Sequence, residues 1–311
     1  MRRREFVIGA IAVAGTTGVT GDEATPLIEQ RLVETQGAVL ATEAWGQGER
    51  GTILLAIGAT ASMVWWPGSL MRALADGGYR VIRFDHRDTG ESTTHAPGDL
   101  RYDVFNLSAD LLAILDAYGV RAAHLVGMSL GGYVSQIAAV QHPQRVLSLT
   151  LIAAEPLGIS YEGEGIAPEM MAHFGAMATL DWGDQEAVAR YMLEIARLSA
   201  GSGRPFDREA ALRRIAVELS RTGSMQSAFN HAMAGGDIGG MTAAALRVPV
   251  LVVHGSEDPV ISVRAASATA TAVPGARLLV LPGTGHELLE GDVPGIAEAV
   301  LGLADGVDSR S

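Results

Sequence analysis

The sequence has 311 residues, 48% of them hydrophobic and 19% charged, enough for one large core or a core with a smaller companion domain. It contains no cysteine, which excludes disulfides, thiolate nucleophiles and cysteine–metal sites. The formal net charge of −12 disfavours nucleic acid as a partner and gives no support for binding to an anionic membrane surface.

Arg2-Arg3-Arg4-Glu5-Phe6-Val7 precedes an uncharged run from Ile8 to Val19. A basic segment before a short apolar stretch reads as an export signal, and the paired arginines resemble the twin-arginine type. The run is too short for a stable membrane anchor. The alternative is a cytoplasmic chain with a disordered tail, and on either reading residues 1–22 stand apart from the folded part.

Residues 31–45 alternate loosely and predict one or two edge strands. The apolar run from Thr52 to Ile57 predicts a strand buried on both faces, and Tyr79 to Phe84 predicts the next. Leu107, Leu111, Leu112 and Leu115 recur at helical spacing within 103–118. Leu125 and Val126 lead into Gly127-Met128-Ser129-Leu130-Gly131, then a helical segment from Tyr133 to Val140 and a strand from Val146 to Ile152. Parallel strands separated by helices imply an open α/β sheet with helices on both faces, with ligands bound beyond the carboxyl ends of its strands.

From Pro156 to Leu246 the strand signals stop, and helices are predicted near 167–180, 185–200, 207–221 and 224–234. This block interrupts the strand pattern and is expected to cover the C-terminal edge of the sheet. Met170, Met171, Met177, Met192, Met225, Met233 and Met241 lie in or beside it. Most read as ordinary core, but flexible thioethers at that edge would suit a broad apolar pocket. Strands resume at Val248 to Val253 and Ala276 to Leu281, with a helix over 262–273 between them and a closing helix to about Leu301. The predicted division is a core of 23–155 and 247–311 around a helical cap of 156–246.

Gly127 to Gly131 has the spacing Gly-x-Ser-x-Gly between a strand and a helix. A turn that sharp brings the flanking positions against backbone, where glycine avoids collision, and leaves the Ser129 hydroxyl clear of its own main chain. Serine is a poor nucleophile without a base. His286, in the Gly-rich turn after the last strand, is the candidate base, and Asp258, stiffened by Pro259, is the candidate acid that orients it. Glu257 is adjacent but projects differently from the same turn. The backbone amides of Leu130 and Ala59 are the candidate donors to an oxyanion. Trp65, Trp66 and Met128 are candidates for the pocket wall, with core packing the alternative for the tryptophans. The plainer readings are a structural serine–glycine turn, a surface or capping histidine, and a solvated turn carboxylate.

Asp85, His86 and Asp88 invite a metal reading, but three such groups within four residues do not easily face one ion. Arg87 among them suggests a salt-bridged turn instead. The glycines at 235–240 lack the strand context of a nucleotide site. No metal or cofactor is expected.

Gly-Met-Ser-Leu-Gly-Gly at 127–132, Phe-Asp-His-Arg-Asp-Thr-Gly-Glu-Ser at 84–92, His-Gly-Ser-Glu-Asp-Pro at 254–259 and Gly-Thr-Gly-His at 283–286 resemble the α/β-hydrolase superfamily, over about residues 30–305. Leu-Ala-Asp-Gly-Gly at 74–78, followed by the turn at Asp85, resembles the aclacinomycin methylesterase group in particular. That group hydrolyses a methyl ester on an anthracycline, using a serine, a histidine and an aspartate under a helical cap. The resemblance implies an α/β-hydrolase fold, with a mostly parallel sheet and an inserted helical cap. It further implies Ser129 as nucleophile, Asp258 as acid, His286 as base and the Ala59 and Leu130 amides as oxyanion hole. Ile57-Gly58 stands where many relatives have His-Gly, a departure that the methylesterase shares. The expected activity is hydrolysis of a small apolar ester or related acyl substrate through an acyl-enzyme. The rivals on the same fold are a lactonase, a carbon–carbon bond hydrolase and a cofactor-free perhydrolase. The rival of a different class is a non-catalytic binding protein.

Overall fold

The structure is a computed structural model and describes residues 28–308. The leader-like segment at 1–22 lies outside the described residues.

A hairpin comes first among the described residues. β1 (Ile28–Thr35) and β2 (Ala38–Trp45) pair antiparallel across Gln36-Gly37, where Gly37 takes a left-handed φ of 80° that glycine adopts without steric cost. β3 (Gly51–Ala56), β4 (Tyr79–Phe84), β5 (Ala123–Met128), β6 (Val146–Ile152), β7 (Val250–Gly255) and β8 (Arg277–Leu281) follow. All eight form one sheet in the order β1-β2-β4-β3-β5-β6-β7-β8, in which β2 meets β4 antiparallel and every pairing beyond β4 is parallel. β7 starts two residues later than the sequence pattern suggests. Pro249 has no N–H for the ladder and serves only as the acceptor of the Leu149 amide.

The central strands alternate between two cores, as the period-two geometry of a strand requires. Leu54, Leu125, Leu149 and Val252 face α2 (Val104–Ala117), α3 (Leu130–Gln141) and α8 (Val263–Ala272). Ile53, Leu55, Val126 and Leu251 face α1 (Gly68–Asp76) and α9 (Val293–Asp308). The result is the expected doubly covered, mostly parallel sheet. Helix α2 starts at a capping box in which the Asp103 carboxylate accepts the amides of Phe105 and Asn106 while Asn106 reaches back.

Between β6 and β7 the chain leaves the sheet and builds the helical cap. α4 (Pro168–Gly175), α5 (Gln185–Ser199), α6 (Arg208–Arg221) and α7 (Met225–Ala228) pack around a small apolar cluster of Val188, Tyr191, Met192, Ile215, Met225 and Ala228. Asp184 and Asp207 cap α5 and α6. The helix predicted over 224–234 is instead the short α7 followed by a 3₁₀ turn over Phe229–Met233. Among the described residues no helix is long and apolar enough to cross a membrane.

Candidate active site

Ser129 lies between β5 and α3 with φ 50° and ψ −118°, a left-handed conformation that is strained for a residue with a side chain. Its amide donates to the Ile152 carbonyl at 2.9 Å. The flanking glycines have no room for a Cβ: one on Gly127 would stand 2.6 Å from Gly132 Cα, and one on Gly131 2.5 Å from the Ile57 carbonyl oxygen. The loop after β3 passes beside the serine, so that a Cβ on Gly58 would be 3.3 Å from that of Ser129. Ala59 comes next in this loop and lines the same cavity as Ser129. Leu130 opens α3, where amides have no carbonyl one turn earlier to bond.

The structure brings Asp258 and His286 together from the loops after β7 and β8. His286 Nδ1 donates to Asp258 Oδ2 at 2.7 Å, which fixes the tautomer and leaves Nε2 as the ring's acceptor. The Asp258 side chain is fully buried, and its Oδ1 accepts the amides of Val260 and Ile261 at 2.8 Å each. Burial alone would raise this carboxyl's pKa, but hydrogen bonds from His254 and His286 outweigh it and hold the group well below the usual carboxylate range. His254 is a second imidazole on the acid. Its Nε2 donates to the Ile261 carbonyl at 2.8 Å and stands 3.3 Å from Asp258 Oδ2. Glu257 turns outward to Ser202, whose amide and hydroxyl both donate to it.

The cap supports the histidine loop through main chain. The His286 amide donates to Ser199 O at the end of α5, and the Gly203 amide donates to Gly283 O, both at 2.8 Å. Ser129 and His286 open into one cavity of about 640 Å³ beneath the cap. Trp65, Met128, Met170, Met177, Met192 and Phe229 form much of its apolar wall. Trp66 does not line it. It is buried in the core with Leu70 and Met71, at the extended residue that ends the short 3₁₀ turn over 63–65. Met225 belongs to the cap's interior, and Met171 and Met233 are exposed. The cavity also has charged wall residues that the apolar pattern did not announce. Arg214 stands 5.2 Å from the centre of the Trp65 ring with its pKa lowered by burial, and Glu287 has its pKa raised by burial.

The turn after β4 is not internally salt-bridged. Arg87 reaches α2, where both oxygens of buried Asp110 accept it at 2.7 and 2.8 Å. Asp85 instead pairs with Arg221 of α6 at 2.7 Å and accepts the Met63 amide at 2.8 Å. Asp88 accepts from Tyr102, His95 and Asn230. His86 Nε2 donates to the Ile57 carbonyl at 3.0 Å, and burial, with His231 alongside, lowers its pKa to about 3. These side chains diverge, and among the described residues no group of three or more histidines or carboxylates could hold a metal ion.

Two cap residues at this site carry no motif. Glu218 and His231 are buried and bond the loop after β3. A signal for Glu218 did exist: it lies three residues after Ile215, on the buried stripe of α6 where a carboxylate needs a partner.

A nucleophile-type elbow after β5, an acid–imidazole pair after β7 and β8, and a helical insertion after β6 define an α/β-hydrolase. The alpha/beta hydrolase fold family matches residues 51–293, and the chain belongs to this family. Among curated proteins it is 31% identical over 274 residues to the rhodomycin D methylesterase DauP of Streptomyces sp. (strain C5), covering 83% of this chain and 92% of that one. It is 30% identical over 280 residues to the rhodomycin D methylesterase DnrP of Streptomyces peucetius, with the same two coverages. Among solved structures, the esterase RhEst1 from Rhodococcus sp. ECU1013 superposes with a TM-score of 0.73 at 25% identity, over 90% of this chain and 99% of that one.

Proposed function

We propose that this protein is a serine hydrolase of carboxylic esters that works through an acyl-enzyme. The observation that carries the reading is the 2.7 Å Asp258–His286 pair opening, with Ser129 on its strained elbow, into one cavity. Ser129 attacks the ester carbonyl while His286 Nε2 takes its proton. The developing oxyanion is met by the amides of Ala59 and Leu130. His286 then protonates the departing alcohol, and Asp258 stabilises the imidazolium throughout. Water activated by the same imidazole releases the acid.

A cavity of about 640 Å³ with a largely apolar wall suits an ester of drug-like size. With the methylesterase relatives, this supports a small-alkyl ester of a bulky apolar acid as the substrate class. The leader-like segment supports export of the chain.

The test is labelling of the purified protein with a fluorophosphonate, the modified peptide being located by mass spectrometry. A stoichiometric adduct on Ser129, and loss of about a million-fold in kcat in a folded Ser129→Ala variant, are expected. Full esterase activity in Ser129→Ala would refute the proposal. A panel of esters, lactones, β-diketones and peroxide as acyl acceptor then separates the esterase from its rivals on the same fold.

A further inference from the structure

We propose that His231, with Glu218, is a positioning residue that holds the loop after β3 in the shape that presents the Ala59 amide to the oxyanion. This rests on the ester-hydrolase reading above.

The Ala59 N–H belongs to the peptide plane joining Gly58 to Ala59, and both neighbouring planes are pinned by buried imidazoles. On one side, the Ile57 carbonyl accepts from His86 Nε2 at 3.0 Å. On the other, the Thr60 amide donates to His231 Nδ1 at 3.0 Å. His231 can only be an acceptor there: its Nε2 lies 2.7 Å from the Arg87 carbonyl, so the ring's one hydrogen must be on Nε2. Burial keeps the ring neutral by lowering its pKa. Thr60 itself has φ 64°, a strained conformation for a β-branched residue that persists only where surroundings impose it. The His231 bond is made at the strained residue.

Glu218 holds the next stretch of the same loop. Its Oε2 accepts the Ser62 amide at 3.0 Å, the Ser62 hydroxyl at 2.7 Å and the Trp65 indole at 2.8 Å, while Oε1 is taken by Thr222. Glu218 and His231 both come from the insertion between β6 and β7, more than 150 residues beyond the loop they hold. The cap on this account builds part of the oxyanion hole as well as the pocket.

The experiment compares His231→Asn, whose side-chain oxygen can replace Nδ1 as acceptor for Thr60, with His231→Gln, which reaches Arg87 and abandons Thr60. Turnover of 4-nitrophenyl butyrate is measured per site titrated with a fluorophosphonate, together with inhibition by an alkylboronic acid. In His231→Gln, kcat per site is expected to fall roughly 30- to 100-fold with KM within about threefold, and boronate binding to weaken by a similar factor. In His231→Asn it is expected to stay within about fivefold of the parent. Equal kcat per site in the two variants, or a loss confined to the number of titratable sites, would overturn the proposal. Should neither variant fold, Glu218→Gln carries the same comparison of kcat per site against KM. Failure of the parent protein to label at Ser129 would instead bring down the ester-hydrolase reading.

Discussion

Replacing Gly131 by alanine puts a methyl carbon 2.5 Å from the Ile57 carbonyl oxygen and closer still to that of Ala56. Real Cβ atoms essentially never come within 3.0 Å of a neighbour, and both oxygens are main chain rather than the end of a flexible side chain. Helix α3 must therefore move off β3 by about 1 Å. Such overpacking costs about 1–3 kcal/mol of stability. Ser129 sits at the head of α3 and Ala59 just beyond the end of β3, so the same movement draws the hydroxyl away from the oxyanion loop. A misplacement of about 1 Å lowers turnover roughly 100-fold, or about 2.7 kcal/mol in the barrier. The assay is kcat on 4-nitrophenyl butyrate per titrated site, alongside urea denaturation. Gly302→Ala is the control: that glycine is exposed on α9 with nothing within 4 Å of an added Cβ. It is expected to gain up to about 1 kcal/mol and to leave kcat unchanged. A Gly131→Ala enzyme within twofold of the parent kcat and equally stable would refute the reasoning.

Asp258→Asn is expected to lose about four orders of magnitude in kcat through the wrong imidazole tautomer, with parent-like turnover moving the acid elsewhere. The Asp258 carboxyl has a folded pKa below its ordinary value of 3.8, so the stability it contributes is fully present above that value and is lost as pH falls through the folded one. Urea denaturation should accordingly show a gap between parent and Asp258→Asn that is widest near neutral pH and closes in acid, and a gap that widened in acid would contradict the assignment. Asp110→Ala strands the buried Arg87 guanidinium and should cost about 3–5 kcal/mol, most of it recovered when Arg87→Met is combined with Asp110→Leu. A loss below about 1 kcal/mol in the single variant would show that Arg87 finds another partner.

The layered fold was legible because its central strands are buried on both faces and read as unbroken apolar runs between turn residues. The elbow was legible for a different reason. Gly127 and Gly131 answer to main-chain atoms, and no other residue type satisfies that demand. Helix α1 escaped the pattern because it begins at Gly68 with no side-chain cap, and α9 outran its predicted end because Gly302 and Gly306 read as breakers yet lie in open space. The partner of Arg87 was illegible for a stronger reason. The turn offers it two nearby carboxylates, but α2 brings Asp110 in at bidentate geometry, and Arg221 and Asn230 claim the nearer two. The same holds for Trp65 and Trp66, neighbours in sequence that end in a cavity wall and a core. His231 and Glu218 come from different cap elements, and no spacing rule joins them to a loop that they meet only after the cap has docked.

At the crossing of residues 199–203 with the histidine loop, glycine faces glycine: a Cβ on Gly201 would stand 2.7 Å from the Gly285 amide nitrogen, and one on Gly285 2.7 Å from that of Gly201. These two segments constrain each other's spelling across more than eighty positions of chain. A chimera that borrowed its cap from a relative, cut neatly at the ends of the insertion, would bring an α5 terminus shaped for somebody else's histidine loop. The heritable module is larger than the insertion: it is the cap together with residues 283–286, and grafts that move the two together are the ones that should keep the imidazole in place.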